Sequence, residues 1–528
     1  MQRFTFHREL TGLFTEQQNR LVYRQDELMD FIHLPYNSDS FGTQIKIREQ
    51  QFTRDKRKDL VDQLNKQYSG IDLEPKVSAN IQSLLDGATF TVTTGHQLSI
   101  FTGPLFFIYK ILHVIRLAET LKEKYGEYNF VPVYWMASED HDFEEIRSVE
   151  LFGKTLSWES EQKGPVGRYS TVGLDVIRAE FSAYFSGEAL EEVKEILANY
   201  EGKDLTEATL KLVNRLFSRY GLLIINADTH ELKRSFVPVM KKEIETEFSY
   251  HAVQKMNALL EKEGMKVQVH AREINLFYME NGMRERIVHL DDGFFIEEKG
   301  KLSRDALLNL IESSPECFSP NVIMRPVYQE WILPNLCYIG GVGELAYWMQ
   351  LKGVFEGAEV PYPLVGVRNS LLWIDPVNSK RIEKSGIHLE EIFHDTDVLK
   401  REHVKKHADQ ELDLNDVEAA FNLLREKLLS KVMNTDPGLE RMALAEIARI
   451  EKQLQSVEEK LFKSLKVRHE QALTAIDQLK SRLFPANGLQ ERSVSLFSMC
   501  AGGKIDERIA QLHDFIDPFE SDLIVIRE

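Results

Sequence analysis

Apolar and polar positions recur along this chain with two periods, and the change from one to the other marks out its parts. Up to about residue 85 the apolar positions fall at helical spacing: Leu21, Val22, Leu28, Phe31 and Ile32 within 16–32, then a charged amphipathic stretch over 44–68. Gly87 stops the next helix, and residues 89–94, rich in threonine, predict a buried strand. Gly103-Pro104 opens a predicted helix over 105–125, because proline fits a first turn whose N–H groups lack partners anyway. Phe107, Ile108, Ile111, Leu112, Ile115 and Ala118 form its buried stripe. A second apolar run, 130–137, completes a strand–helix–strand unit and empties into Ser138-Glu139-Asp140-His141-Asp142. Ligands of open α/β sheets bind at the carboxyl ends of the strands, so a candidate site belongs here.

The remaining pattern extends this α/β reading. Residues 151–185, rich in Ser, Gly and short strand-like runs, read as an insertion. Amphipathic helices over 190–200 and 205–220 lead to the apolar run 221–226, the signature of a buried parallel strand. One long helix is expected over 231–264. Alternation with the turns Asn281-Gly282 and Asp291-Asp292-Gly293 then predicts a hairpin or meander, in a second insertion at about 265–300. Between 319 and 367 Pro and Gly are dense, which predicts loops and short strands returning to the sheet.

From about 385 to 484 the composition shifts to Glu, Lys, Leu, Ala and Gln, and heptads appear. Val417, Phe421, Leu424, Leu428 and Val432 form one seam, and Ala443, Ile447, Ile450, Leu454, Val457 and Leu461 a second, with Asp436 a candidate cap between them. Ala472, Ile476, Leu479 and Leu483 resume the pattern as if across a stutter. One helix over 439–483 would run roughly 65–70 Å at ~1.5 Å per residue. That is too long for one globule, so an antiparallel coiled-coil arm and a homodimer contact are expected. Pro485 ends the arm. The tail, with a helix near 505–516 and the apolar Leu523-Ile524-Val525-Ile526, is expected to fold back on the core. The expected division is a core over 1–384, an arm over 385–484 and a C-terminal segment over 485–528.

Composition narrows the function. Of 528 residues 43% are hydrophobic, enough for a sizeable core, and the length implies more than one unit because single cores stop growing near ~250–300 residues. A net charge of −18 argues against a general nucleic-acid or acidic-membrane partner, both of which need basic surface. Cys317, Cys337 and Cys500 are far apart, which excludes a disulfide scaffold and a CxxC knuckle, leaves no zinc site visible, and fits a reducing cytoplasm. No uncharged run approaches the ~18–20 residues of a membrane helix, and the amino terminus has no secretory pattern, so a cytoplasmic protein is expected.

Three constellations carry candidate chemistry, each beside a plain structural alternative. Ser138 to Asp142 packs three carboxylates and an imidazole into five residues. Such a group repels itself unless it shares a cation, a metal or an amine, and it could tune His141 for proton transfer; the alternative is an acidic helix cap. Thr94-Gly95-His96-Gln97, with Thr102 in the loop beyond, lets a ligand approach the backbone at Gly95, or is simply a tight turn. Gly340-Gly341-Val342-Gly343-Glu344, followed by Tyr347, could cradle a phosphate through backbone N–H groups, although it has neither P-loop nor GxGxxG spacing. Arg325, with Gln329 one turn on, is a candidate carboxylate clamp or a structural ion pair; Arg272 and Arg368 are weaker candidates of the same kind.

Taken together, Thr94-Gly-His-Gln97, Phe101-Thr-Gly-Pro-Leu105, Tyr109-Lys110, the block from Pro132 through Trp135 to Glu144, Arg325-Pro326, Gly340 to Glu344 and Leu489-Gln-Glu-Arg492 resemble the bacillithiol-biosynthesis cysteine-adding enzyme family, BshC. The resemblance runs from the N-terminal region to the tail. It implies an α/β fold with a Rossmann-like, nucleotidyltransferase-type core, connecting-peptide insertions and a dimerising coiled coil. The implied reaction joins L-cysteine to the amine of glucosaminyl-malate. That chemistry needs an activated carboxylate, for which ATP with Mg²⁺ is the economical source, and a base for the amine. His141 or His96, oriented by Asp140 or Asp142, is the expected base. Thr94, Gln97, Thr102, Ser138, Glu139, Arg325, Gln329, Glu344 and Tyr347 are the expected substrate contacts, and Gly95, Gly340, Gly341 and Gly343 the expected nucleotide contacts. A metal-dependent hydrolase built on the 139–142 acids, and a non-catalytic nucleotide-binding assembly protein, are the rival readings.

Overall fold

The computed structural model describes residues 1–408, 415–468 and 470–528. Its centre is a parallel sheet of five strands in the spatial order Leu364–Val367, Asn335–Gly340, Thr89–His96, Asn129–Met136, Leu223–Ile225. Thr89–His96 is buried at every position, as a central strand covered on both faces must be. Its register, Gly95 beside Trp135 and Thr94 beside Ile339, brings the polar ends of three strands to one edge. The helix Leu105–Lys124 packs back on the two middle strands, with Phe107, Ile108, Ile111, Leu112 and Ile115 buried as expected.

Three helical expectations are corrected by local chemistry. The stretch 44–68 is two helices, Ser40–Gln51 and Arg54–Gln67; Thr53 starts the second by accepting the Lys56 N–H at 3.4 Å. The expected helix over 231–264 breaks at Glu247, which takes a left-handed φ of 51°. There the buried Glu243 carboxylate accepts from the Ser249 N–H (3.2 Å) and hydroxyl (2.6 Å), starting a new helix, Phe248–Lys262. The Pro- and Gly-dense region holds three helices, Met324–Ile332, Val342–Trp348 and Lys352–Ala358, besides its strands. Pro326 sits in the first turn of its helix, where the missing N–H costs nothing.

The tail returns to the body as the strand Leu523–Arg527, antiparallel to Gln2–Phe6 and parallel to Ser370–Ile374. In the arm, Asn415–Thr435 packs against Glu440–Arg468 across a turn in which Asp436 accepts the Gly438 N–H at 2.9 Å. Val417, Leu424, Leu428, Val457 and Leu461 are exposed on this hairpin. The proposed continuation past Leu461 crosses residue 469, which lies outside the described residues. Ile476, Leu479 and Leu483 do not prolong the seam. They are buried at the arm's base with Leu372, Ile374, Ile382 and Leu399, because the helix Glu470–Leu483 packs on Pro376–Ser385 and Thr396–Ala408.

Candidate active site

Chain order reverses between Thr89–His96 and Asn335–Gly340: from the first, the chain continues through Asn129–Met136 on one side and reaches its other neighbour only much later. Such a switch point leaves a crevice at the strand ends. A cavity of about 770 Å³ lies there, lined by Gly95, His96 and Gln97 from one strand end and Ser138, Glu139 and Asp140 from the next. Tyr338, Glu344, Arg325 and Tyr347 close one side, and residues 270–288 of the second insertion form the facing wall.

On the Gly95 side a buried cation organises the floor. Lys110 donates to the Gly95 carbonyl at 2.8 Å and forms an ion pair with Glu344. Glu344 also accepts from Tyr338 Oη at 2.7 Å and from the Gly341 N–H at 2.8 Å. Burial opposes its charge, but Lys110 and these donors hold its pKa down to about 2. Arg325 donates to Gln329 Oε1 at 3.1 Å and to Tyr347 Oη at 3.3 Å, so Gln329 orients the guanidinium from behind. His96 lies against Phe106 with ring centroids 4.9 Å apart, and burial, reinforced by Lys110, lowers its pKa to about 3. It is a neutral imidazole at physiological pH.

The Ser138–Asp142 loop is held from outside the central unit. Ser138 donates to Asn226 Oδ1 at 2.6 Å. The first insertion pins the loop's backbone: Val166 N–H donates to the Asp140 carbonyl at 2.6 Å and Gly167 N–H to the Ser138 carbonyl at 2.9 Å. Glu139 pairs at 2.6 Å with the buried Lys233, which also pairs with Asp228 at 2.7 Å, itself gripped by Arg168. The mutual repulsion expected of this acidic loop is therefore relieved for Glu139 by a lysine from a distant helix. Asp140 accepts from Gln97 Nε2 at 2.6 Å and lies 3.6 Å from Arg284. Burial pushes its pKa up, but the Gln97 bond, Arg284 and the His141 N–H outweigh it and hold the carboxyl below its ordinary value. Glu145, also in the cavity, moves the other way, raised by burial and by the charges of Asp140 and Asp142.

The structure thus brings Gly95, His96, Gln97, Ser138, Glu139, Asp140, Arg325, Glu344 and Tyr347 together around one cavity. Other expected residues stand elsewhere. His141 is on the exposed side of the loop; Arg284 donates to its Nδ1 at 3.0 Å, so that nitrogen is an acceptor and the ring is not oriented by donating to Asp140. Asp142 caps the short turn Phe143–Ile146 through the Glu145 N–H, 3.2 Å away. Thr94 spends its hydroxyl on the Ile339 carbonyl at 2.8 Å, tying two strands, and Thr102 is buried in the turn Ile100–Thr102. Gly340, Gly341 and Gly343, the expected phosphate cradle, stand outside the cavity lining, and the Glu344 carboxylate takes the Gly341 N–H.

Lys110, Arg284, Lys233, Asp228, Tyr338 and Glu145 complete the site and were not singled out as functional by sequence reasoning. Lys110 had a usable signal, a cation inside the apolar run 105–115 of a helix whose neighbouring positions are nearly all buried. Arg284 and Lys233 had none, since both read as surface charges until the insertion and the helix His230–Thr246 fold over the strand ends.

Residues 9–369 match the family described as "Bacillithiol biosynthesis BshC, N-terminal Rossmann-like domain", and residues 371–527 match "Bacillithiol biosynthesis BshC, C-terminal coiled-coil domain". A Flavobacterium johnsoniae protein named "Putative cysteine ligase BshC" is 38% identical over 524 residues, 98% of each chain. Proteins of the same name from Flavobacterium psychrophilum and Chlorobaculum tepidum are 37% and 29% identical, over 98% and 92% of this chain and 98% and 91% of theirs. With a Rossmann-like sheet, a helical arm and relatives matched almost end to end, this chain belongs to the BshC family of bacillithiol biosynthesis.

Proposed function

We propose that this protein is a cytoplasmic cysteine ligase that forms the amide between the carboxyl of L-cysteine and the amine of glucosaminyl-malate. The observation that carries the reading is the charge layout of the switch-point cavity. Lys110, Arg272, Arg284, Arg286 and Arg325 line it together with Glu139, Asp140, Glu145, Glu273 and Glu344. A site balanced in this way suits two substrates that each bear an amine and a carboxylate. The curated relatives carry the ligase name over the whole chain.

Amide formation needs an activated carboxyl, which ATP with Mg²⁺ would supply. The anion-binding groups that fit its phosphates, or the malate carboxylates, are the arginines of the facing wall, Arg272, Arg284 and Arg286, together with Arg325. The glycine turn does not fit them. Mg²⁺ is commonly held by phosphates and one or two carboxylates, and Glu273 lies on the same wall as these arginines. The attacking amine must lose a proton. With its low pKa, His96 serves as a hydrogen-bond acceptor, and the base that lines the cavity is the raised carboxyl of Glu145.

Purified protein incubated with L-cysteine, glucosaminyl-malate and ATP–Mg²⁺ should yield bacillithiol. No product, together with normal thiol content in a deletion strain, would overturn the reading. The exposed arm seam supports a homodimer as the working form.

A further inference from the structure

The buried Glu330 is not part of the cavity lining, but a chain of side-chain hydrogen bonds joins it to the cavity. On the helix Met324–Ile332, Arg325 lines the cavity, and its Nη1 donates to Gln329 Oε1, one turn on, at 3.1 Å. Gln329 Nε2 donates in turn to Glu330 Oε1 at 2.9 Å, and the same oxygen accepts from Asn335 Nδ2 at 2.6 Å. Asn335 is fixed from the sheet, because its Oδ1 accepts from the Thr91 and Thr93 hydroxyls at 3.2 and 2.8 Å. Arg48 anchors the far side: its Nη2 donates to the Glu330 carbonyl at 2.7 Å and stands 3.8 Å from Glu330 Oε2.

The chain has one direction. A guanidinium can only donate, so the Gln329 amide must turn its oxygen toward Arg325 and its NH₂ toward an acceptor. Glu330 Oε1 is that acceptor in either charge state, since a proton would go to Oε2, which has no hydrogen-bond partner. Without an acceptor at 330 the Gln329 NH₂ would be buried and unpaired. Rotation of the side chain would relieve that cost at the expense of the bond to Arg325. Stability does not account for Glu330. Burial raises its carboxyl to about 7, so ionising it costs the native state free energy. A carboxyl kept at such a cost, and wired to a cation at a cavity, fits a functional site better than a packed core.

We propose that Glu330 is a positioning residue for Arg325 as an oxyanion clamp: acting through Gln329, it fixes the guanidinium beside the strand end, where a Cβ on Gly95 would lie 3.7 Å from Arg325 Nη1. The identity of the oxyanion, a carboxylate or a phosphate of substrate, rests on the ligase reading.

Calorimetric titration of the full-length protein with L-malate and with pyrophosphate reads the clamp without turnover. Arg325→Met should weaken binding of at least one probe roughly tenfold or more, about 1.4 kcal/mol, and that probe names the oxyanion. Glu330→Met, which removes the acceptor, and Gln329→Met, which removes the link, should each weaken the same binding roughly fivefold or more, and in the Arg325→Met background Glu330→Met should add nothing. Glu330→Gln, whose amide oxygen can accept the same two donors, should bind close to wild type. A merely structural role would lower the melting temperature of Glu330→Met and leave the affinity of the folded protein unchanged. That result overturns the proposal, as do losses that add in the double variant and wild-type protein that binds neither probe at millimolar concentration. Should Glu330→Met fail to fold, Gln329→Met decides, and wild-type affinity there overturns the proposal. Coupling of Glu330 to Arg325 in a protein that forms no amide would sink the ligase reading alone; amide synthesis without that coupling would sink the positioning role alone.

Discussion

At the scale of single residues, the site depends on charges buried in compensating sets. Lys110 and Glu344 are such a set. Lys110→Met would leave the Glu344 carboxylate without its cation and should destabilise the protein by on the order of 3 kcal/mol. Adding Glu344→Gln should restore part of that loss, because the pair is then removed together, and denaturant titration of the three proteins measures it. Glu330 behaves differently. Burial, only partly opposed by Arg48 and by the Asn335 and Gln329 amides, raises its carboxyl from 4.5 to about 7. Between those values the native state holds a proton that the unfolded chain has lost, so this group makes stability fall as pH rises from 4.5 to about 7. Glu330→Gln should therefore gain stability relative to wild type across that window and keep a constant advantage above it. A difference that does not change between pH 5 and pH 8 would contradict the assignment.

At the scale of elements, the loop that carries Ser138, Glu139 and Asp140 is set by an insertion and not by its own strand. A Cβ on Gly167 would stand 2.5 Å from Ser138 Cβ and 2.6 Å from the Ser138 carbonyl oxygen. Gly167→Ala should displace this loop, lower bacillithiol formation at least severalfold, and cost about 1–3 kcal/mol as overpacking. A neutral outcome in both thiol assay and thermal melt would mean the insertion does not position the loop. Away from the site, the helix Lys352–Ala358 ends on Glu359 with a left-handed φ of 57°. Glycine has no Cβ penalty there, and the exposed Glu359–Lys242 ion pair is worth little. Glu359→Gly should raise stability, readable as a higher melting temperature. Element types were legible wherever the period was strong, as in Leu105–Lys124 and the strands beside it. The break at Glu247 was not, because the buried Glu243 carboxylate decided where one helix ended and the next began, whereas the break at Thr53 is a local, exposed cap.

At the scale of the whole molecule, the arm presents apolar side chains that the chain itself leaves exposed. Leu424 is 52% and Val457 52% exposed. If the arm pairs two copies, Leu424→Lys with Leu428→Lys should convert the dimer to a monomer in light scattering while leaving the melting of the Rossmann-like part close to wild type. A wild-type protein that is already monomeric at micromolar concentration would rule this out. Ile476, Leu479 and Leu483 should be insensitive to dimer state, since the chain's own base buries them.

What the sequence determined by itself was local and periodic: an α/β body, a strand edge emptying into Ser138–Asp142, a heptad arm, and enough shared motif to place the chain in its family. Hydrophobic period and turn chemistry act over a few residues, so they are readable without the fold. Tertiary structure alone decided which polar groups face the cavity. Lys110 and Arg284 reach it from a helix and an inserted hairpin, Lys233 from a distant helix pairs with Glu139 behind it, and the Gly341 N–H of the glycine turn is taken by Glu344. Pairing of charges between segments far apart in the chain follows from burial in a shared low-dielectric space, and no spacing along the sequence encodes it.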